Sequence, residues 1–353
     1  HRPRSLSRLL RSLVAAEYGS DVVDLDIWVD VEADNTSADS NVLQVSRDLN
    51  WTQGTKNIHI HPLQAGLRKQ WLYTWNMSLH GGLSENTTEI AVILEDDVEV
   101  SPVFWQWLKL AHKKYHHNPE VAGFALQRDP ATLPFPQRKF VPIGHAYMFQ
   151  FVGSWGFSPT AQHWSRFSKW ASLFMQNESV IKPYVKDTVF TTWYKKFEQE
   201  GRCPGKNCMW TILHSKYCSL YQDKYSVYVN LRGSETLAAN HREVGIHYSQ
   251  QISRDNPNRD ILSREQSVWT FDEMPMYFNI KGEIEKKSPL ALDHARSGVQ
   301  KKNVTRLVIN LGLPKSGSTT LHTFLQCGGV HSSHWTCNGG YCGDCISKNI
   351  HHQ

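Results

Sequence analysis

The sequence lacks any apolar run approaching the ~20 residues that span a bilayer, so no membrane-crossing helix is expected within it. No leader peptide is visible, and that absence leaves the compartment open. There is no long basic run and no basic stretch interleaved with aromatic residues, so nucleic acid is not an expected partner. No internal repeat is present. A net charge of +5 over 353 residues is mild and suits an anionic ligand without demanding one. Cysteine is scarce, and its count of 7 is odd, so one thiol stays unpaired within the chain. A hydrophobic content of 40% with 20% charged residues describes a globular protein with a sizeable core, one large domain or two smaller ones.

Strand and helix patterns alternate along the chain. "RPRSLSRLLRSLVAAEY" places Leu6, Leu9, Leu10, Leu13 and Val14 at helical spacing. "VVDLDIWVDVE" reads as a strand ending at Asp30 and Glu32, residues 42–49 as a helix, "NIHIHPL" as a strand and "GLRKQWLYTW" as a helix. "EIAVILEDDVEV" is the next strand, and Pro102 opens a helix. The middle is richer in aromatic residues: strands at "VAGFALQ" and "KFVPIGHAYMFQFVGSWGF", helices from about Pro159 and over "VKDTVFTTWYKKFEQEGR" with Gly201 as its stop, then a strand at "KYSVYVNLR". This order predicts an α/β fold with a largely parallel sheet and helices on both faces. Ligands of such sheets sit beyond the carboxyl ends of the strands.

Glu95, Asp96 and Asp97 stand at such an end, directly after an apolar run. Mg²⁺ and Mn²⁺ prefer oxygen ligands and bridge one or two carboxylates to phosphates. A solvated turn whose acids cap the next helix is the bland alternative. "GSWGFS" offers Gly153 and Gly156 for close backbone approach and Trp155 as a flat apolar face; a strand bend with a core tryptophan explains the same residues. Asp187 in "VKDTVF" opens a helix, either as an N-cap or as a base. "NHREVGIHY" carries His241 and His247, either of them a metal ligand or a packed imidazole.

"ILEDDVEVSPVFWQWL" resembles the metal motif of GT-A glycosyltransferases of the N-acetylglucosaminyltransferase I and glycosyltransferase-2-like type. The likeness runs over about residues 1–280. It implies a Rossmann-like sheet that binds a nucleotide sugar. Asp97 would ligate Mn²⁺ or Mg²⁺, with His247 as a late metal ligand. Glu95 and Asp96 would support a UDP-sugar, Asp30 would lie near the nucleoside, and Gly153, Trp155 and Gly156 would lie under the donor sugar. Asp187 would be the base of an inverting transfer. The helix at the start resembles the one that follows the family's first strand, so that strand and a membrane anchor are expected before His1.

Residues 281–303 are charged and weakly periodic, a linker candidate. "LVINLGLPKSGSTTLHTFL" then starts afresh as strand, Gly/Ser loop and helix, an arrangement that suits phosphate. It is not a Walker A loop, because Lys315 precedes Gly317. It resembles the phosphosulfate loop of PAPS-dependent sulfotransferases, which would make Lys315, Ser316, Gly317, Ser318, Thr319 and Thr320 donor contacts. Residues 304–353 are thus expected to be the beginning of a P-loop-like sulfotransferase module, with PAPS a cofactor only of a completed domain. Cys337, Cys342 and Cys345 near His331 and His334 suit a disulfide-stabilised loop or a zinc site.

Sequons at Asn35, Asn50, Asn76, Asn86, Asn177 and Asn303 tilt the expectation to the secretory lumen, the Golgi by resemblance. Cys203 and Cys208 flank a turn that could close a small disulfide loop. The reading is a metal-dependent transferase moving a sugar from a UDP-sugar to a glycan or glycoprotein. The alternatives are a non-catalytic glycan-binding scaffold and a carbohydrate sulfotransferase whose N-terminal part recognises glycan.

Overall fold

The computed structural model describes residues 2–32, 37–75, 89–128, 139–176, 182–201, 209–221, 224–241, 243, 260–263, 269–285, 305–311, 336–337 and 340–341. Helix α1 (Pro3–Val14) starts on a proline and buries Leu6, Leu9, Leu10 and Leu13, while Val14, expected on the same stripe, faces solvent. Strand β1 (Val23–Val29) follows. Helix α2 (Ser40–Asp48) begins earlier than its apolar pattern suggests, because Asp39 caps it by accepting from the amides of Asn41 and Val42. Strand β2 (Lys56–Ile60), helix α3 (Gly66–Tyr73) and strand β3 (Ile90–Glu95) complete the first half.

A short strand β4 (Val98–Val100) separates β3 from helix α4 (Phe104–Tyr115). Strands β5 (Val121–Ala125), β6 (Ala146–Phe149) and β7 (Phe157–Pro159) come next, then helix α5 (Ala161–Gln176). Helix α6 (Val189–Gln199) is capped by Thr188, and Gly201 follows it with a left-handed φ of 65°. Helix α7 (Trp210–Tyr221) has no counterpart among the helices expected from sequence: its buried run Trp210–His214 carries no amphipathic stripe. Strands β8 (Tyr225–Val229), β9 (Glu235–Thr236), β10 (Ala238–Asn240), β11 (Asp260–Ile261), β12 (Met276–Phe278), β13 (Ile284–Glu285), β14 (Thr305–Leu311), β15 (Thr336–Cys337) and β16 (Gly340–Tyr341) complete the described chain.

One 10-stranded sheet runs in the order β13-β12-β6-β8-β5-β7-β3-β14-β1-β2. It is mixed rather than largely parallel. The stretch β2-β1-β14-β3 is parallel, but β7 runs against both β3 and β5, and β6 runs against β8. The reason for β7 is local: its chain enters from the 153–156 loop beside the carboxyl end of β5, pairing Phe157 with Ala125. Residues 305–311, read from sequence as the opening of a separate module, lie in the middle of this sheet. There β14 pairs with β1 on one side and β3 on the other. Residues 284–285 of the expected linker form the edge strand β13.

Helices cover both faces, as expected. Side chains of β3 alternate between two cores: Ile90, Val92 and Leu94 join α1, α2 and α4, whereas Ala91 and Ile93 join α3, α5, α6 and α7. Among the described residues, no helix is long and apolar enough to cross a membrane.

Candidate functional site

The apolar run of β3 is buried up to Leu94, and the chain then turns at Asp96 and Asp97 into β4. That turn is pinned by a segment about 140 residues further along the chain. Strand β10 pairs antiparallel with β4, and the next residue, His241, donates its backbone N–H to the Asp97 carbonyl at 2.8 Å. The His241 imidazole lies within the same layer, its Nε2 2.7 Å from Glu99 Oε2, and this contact holds the Glu99 carboxyl below its usual range. His241 Nδ1 is buried without a hydrogen-bond partner.

The three acids do not converge on one point. Glu95 Oε1 accepts from Trp71 Nε1 at 2.9 Å, and Trp71 stacks on Trp210 of α7 with ring centroids 4.3 Å apart. Asp96 and Asp97 turn towards Arg2, at the start of α1. Arg2 Nη1 is 3.0 Å from Asp97 Oδ2, and Nη2 contacts Asp96 Oδ1. The second oxygen of Asp97, Oδ1, is buried without a partner. Burial, reinforced by the charge of Asp97, pushes Glu95 up to about 8; burial, opposed by Arg2, pushes Asp96 up to about 6. Three carboxyls in so small a space repel one another, and a cation relieves that repulsion. Arg2 is the cation that the fold itself supplies. The unused buried oxygen of Asp97 is a donor of the kind that Mn²⁺ and Mg²⁺ prefer, so Asp97 is the residue that would hold such an ion.

The remaining expected residues divide. Gly156 comes to this rim. A Cβ on Gly156 would lie 3.1 Å from Leu94 Cδ2, one residue before Glu95, and its φ of +87° suits glycine. Gly153, however, is required by a side chain of the protein: a Cβ there would lie 2.6 Å from Gln127 Cγ. Gln127 Oε1 accepts from the Trp155 amide at 2.9 Å, and the partly buried Trp155 ring packs against the first core. Asp30 is committed to the backbone. Its Oδ1 accepts from Val31 and Ala65 (3.0 and 2.7 Å) and its Oδ2 from Gly66 at 2.9 Å, so it anchors the start of α3. Asp187 is neither the N-cap of α6 nor in contact with the acid cluster among the described residues. It sits at a φ of 60°, with its carboxylate at the surface 3.4 Å from Lys281 Nζ. His247 and the loop from Lys315 to Thr320 lie outside the described residues; β14, which leads to that loop, ends at the same rim, with Asn310 beside Glu95.

Sequence reasoning missed Arg2 as the partner of the acids and Trp71 as the donor that orients Glu95. Neither has a local signal, since both contacts join distant segments. No protein-family model and no curated protein matches the chain.

Proposed function

We propose that the chain is a metal-dependent glycosyltransferase that moves a sugar, N-acetylglucosamine being the leading candidate, from a UDP-sugar to a glycan or glycoprotein in the secretory pathway. The observation that carries this reading is the acid cluster at the carboxyl end of β3, where Asp97 keeps a buried oxygen unpaired. Solvent-exposed Asn50, at one of the sequons, is compatible with a glycosylated lumenal protein.

When bound, a divalent cation would neutralise the leaving diphosphate as a Lewis acid. Asp97 would hold it, and Asp96 would come free as Arg2 turns away. Glu95, fixed by Trp71, lines the rim on the side of α3. The loop Gly153–Gly156, braced on Gln127, closes the rim next to Leu94. Asp187 adds nothing to this reading while it is paired with Lys281 at the surface.

A second reading has one observation in its favour. Arg2 already neutralises Asp96 and Asp97, as expected if the cluster is structural and the protein a non-catalytic glycan binder.

The two separate on UDP release from UDP-N-acetylglucosamine with Mn²⁺. The transferase reading expects metal-dependent release that falls at least tenfold in Asp97→Ala. Release that is absent, or equal in the variant, contradicts it.

A further inference from the structure

The second core holds a group of side chains that the rim does not use. His163, third residue of α5, faces His214 of α7, with the two Nε2 atoms 2.9 Å apart. Cys218, one helical turn beyond His214, brings its Sγ to 3.7 Å from His214 Nδ1 and 4.0 Å from its Nε2. One ligand atom from each residue lies within 4.8 Å of the others. Both imidazoles are buried, and Cys218 is half-buried with its thiol free. The walls are aromatic: Phe157, Phe167 and Trp210 lie against the His214 ring, and Phe167 and Tyr217 against that of His163.

This arrangement is unusual for a core. Buried polar groups are normally satisfied by backbone, carboxylate or water. Here two imidazoles point their nitrogens at each other, and a sulfur flanks them. Neutral imidazole and thiolate are the donor set of zinc, and they exclude Mg²⁺ and Mn²⁺, which need oxygen. In a tetrahedral site with Zn–N of about 2.0–2.1 Å and Zn–S of about 2.3 Å, ligand spacings come out near 3.3 Å for N···N and 3.6 Å for N···S. The observed 2.9 and 4.0 Å each lie within about half an ångström of those values.

We infer that His163, His214 and Cys218 form a zinc site that clips α5 to α7 beneath the sheet. Zinc binds His163 Nε2, His214 Nε2 and the Cys218 thiolate. The Cys218 S–H proton passes to solvent as the S–Zn bond forms, and each imidazole keeps its proton on Nδ1. Three protein ligands leave a fourth position for water on the half-buried Cys218 side. The site is structural in effect. Because Trp210 of α7 stacks on Trp71, which holds Glu95, the clip also steadies one wall of the acid rim.

The test uses the whole chain, with zinc measured by elemental analysis after dialysis and with Co²⁺ exchanged for zinc as a spectroscopic probe. The wild type should carry one more equivalent of zinc than Cys218→Ser and His163→Gln, and its cobalt form should show a thiolate-to-cobalt charge-transfer band that Cys218→Ser abolishes. Cysteines 337, 342 and 345 could contribute their own zinc. The difference is therefore read again in a chain with those three changed to serine, where it should persist. His163→Gln retains a hydrogen-bonding group, and circular dichroism of each variant without metal checks that it folds. Equal zinc in wild type and Cys218→Ser, or a charge-transfer band unaffected by that change, overturns the proposal and leaves a hydrogen-bonded histidine pair.

Discussion

Glu95 illustrates how burial sets the chemistry of one residue. Its carboxyl, normally at 4.5, is pushed up to about 8, so the folded chain holds a proton that the unfolded chain has lost. Stability from this group is therefore complete below about pH 4.5 and lost as pH rises through 8. Glu95→Gln keeps an oxygen for Trp71 Nε1 and removes the ionisation. The variant should melt like the wild type at pH 5 and roughly 2–4 °C higher at pH 9. Identical melting at both pH values would contradict the assigned environment. At this scale the sequence was legible in part. The switch from apolar residues to Glu95, Asp96 and Asp97 coincides with the end of β3. What each acid binds was not legible, because Arg2, Trp71 and the amides of Ala65 and Gly66 approach from elsewhere in the chain. Asp30 and Asp187 look alike in sequence as acids at element ends. One is buried under three backbone amides, and the other faces Lys281 at the surface.

Among elements, β14 is the one whose place could not be read from its own pattern. Seven residues that look like the start of a new unit complete the parallel half of the sheet, register-matched to β1 along their whole length. A strand-length apolar segment pairs wherever two parallel edges stand open, and sequence does not say which edges those are. Proline at position 309 would remove a ladder N–H in a strand paired on both sides, a place where proline is essentially not found. Ile309→Pro should therefore shift the denaturant midpoint of the main unfolding transition. An unchanged midpoint would place residues 305–311 outside the folded sheet. Helix α7 escaped notice for a different reason. Buried on most sides by α3, α5 and α6, it shows no polar face to set its period, and His214 and Cys218 went unnoticed with it.

For the whole molecule, the two cores on opposite faces of the sheet were foreseeable from the alternation of strand and helix patterns. The reversal of strands beyond β3 was not, because it depends on the short loop that feeds β7 backwards between β3 and β5. This architecture holds an acid cluster at the carboxyl end of β3, with Arg2 as its counter-charge. The central claim is that a divalent cation replaces that guanidinium and grips a diphosphate there. Calorimetric titration of UDP into the protein, with and without Mn²⁺, tests it most directly. The account predicts binding that requires Mn²⁺, is weakened at least tenfold in Asp97→Ala and is strengthened in Arg2→Ala. UDP binding that is indifferent to Mn²⁺ and to both substitutions would contradict it.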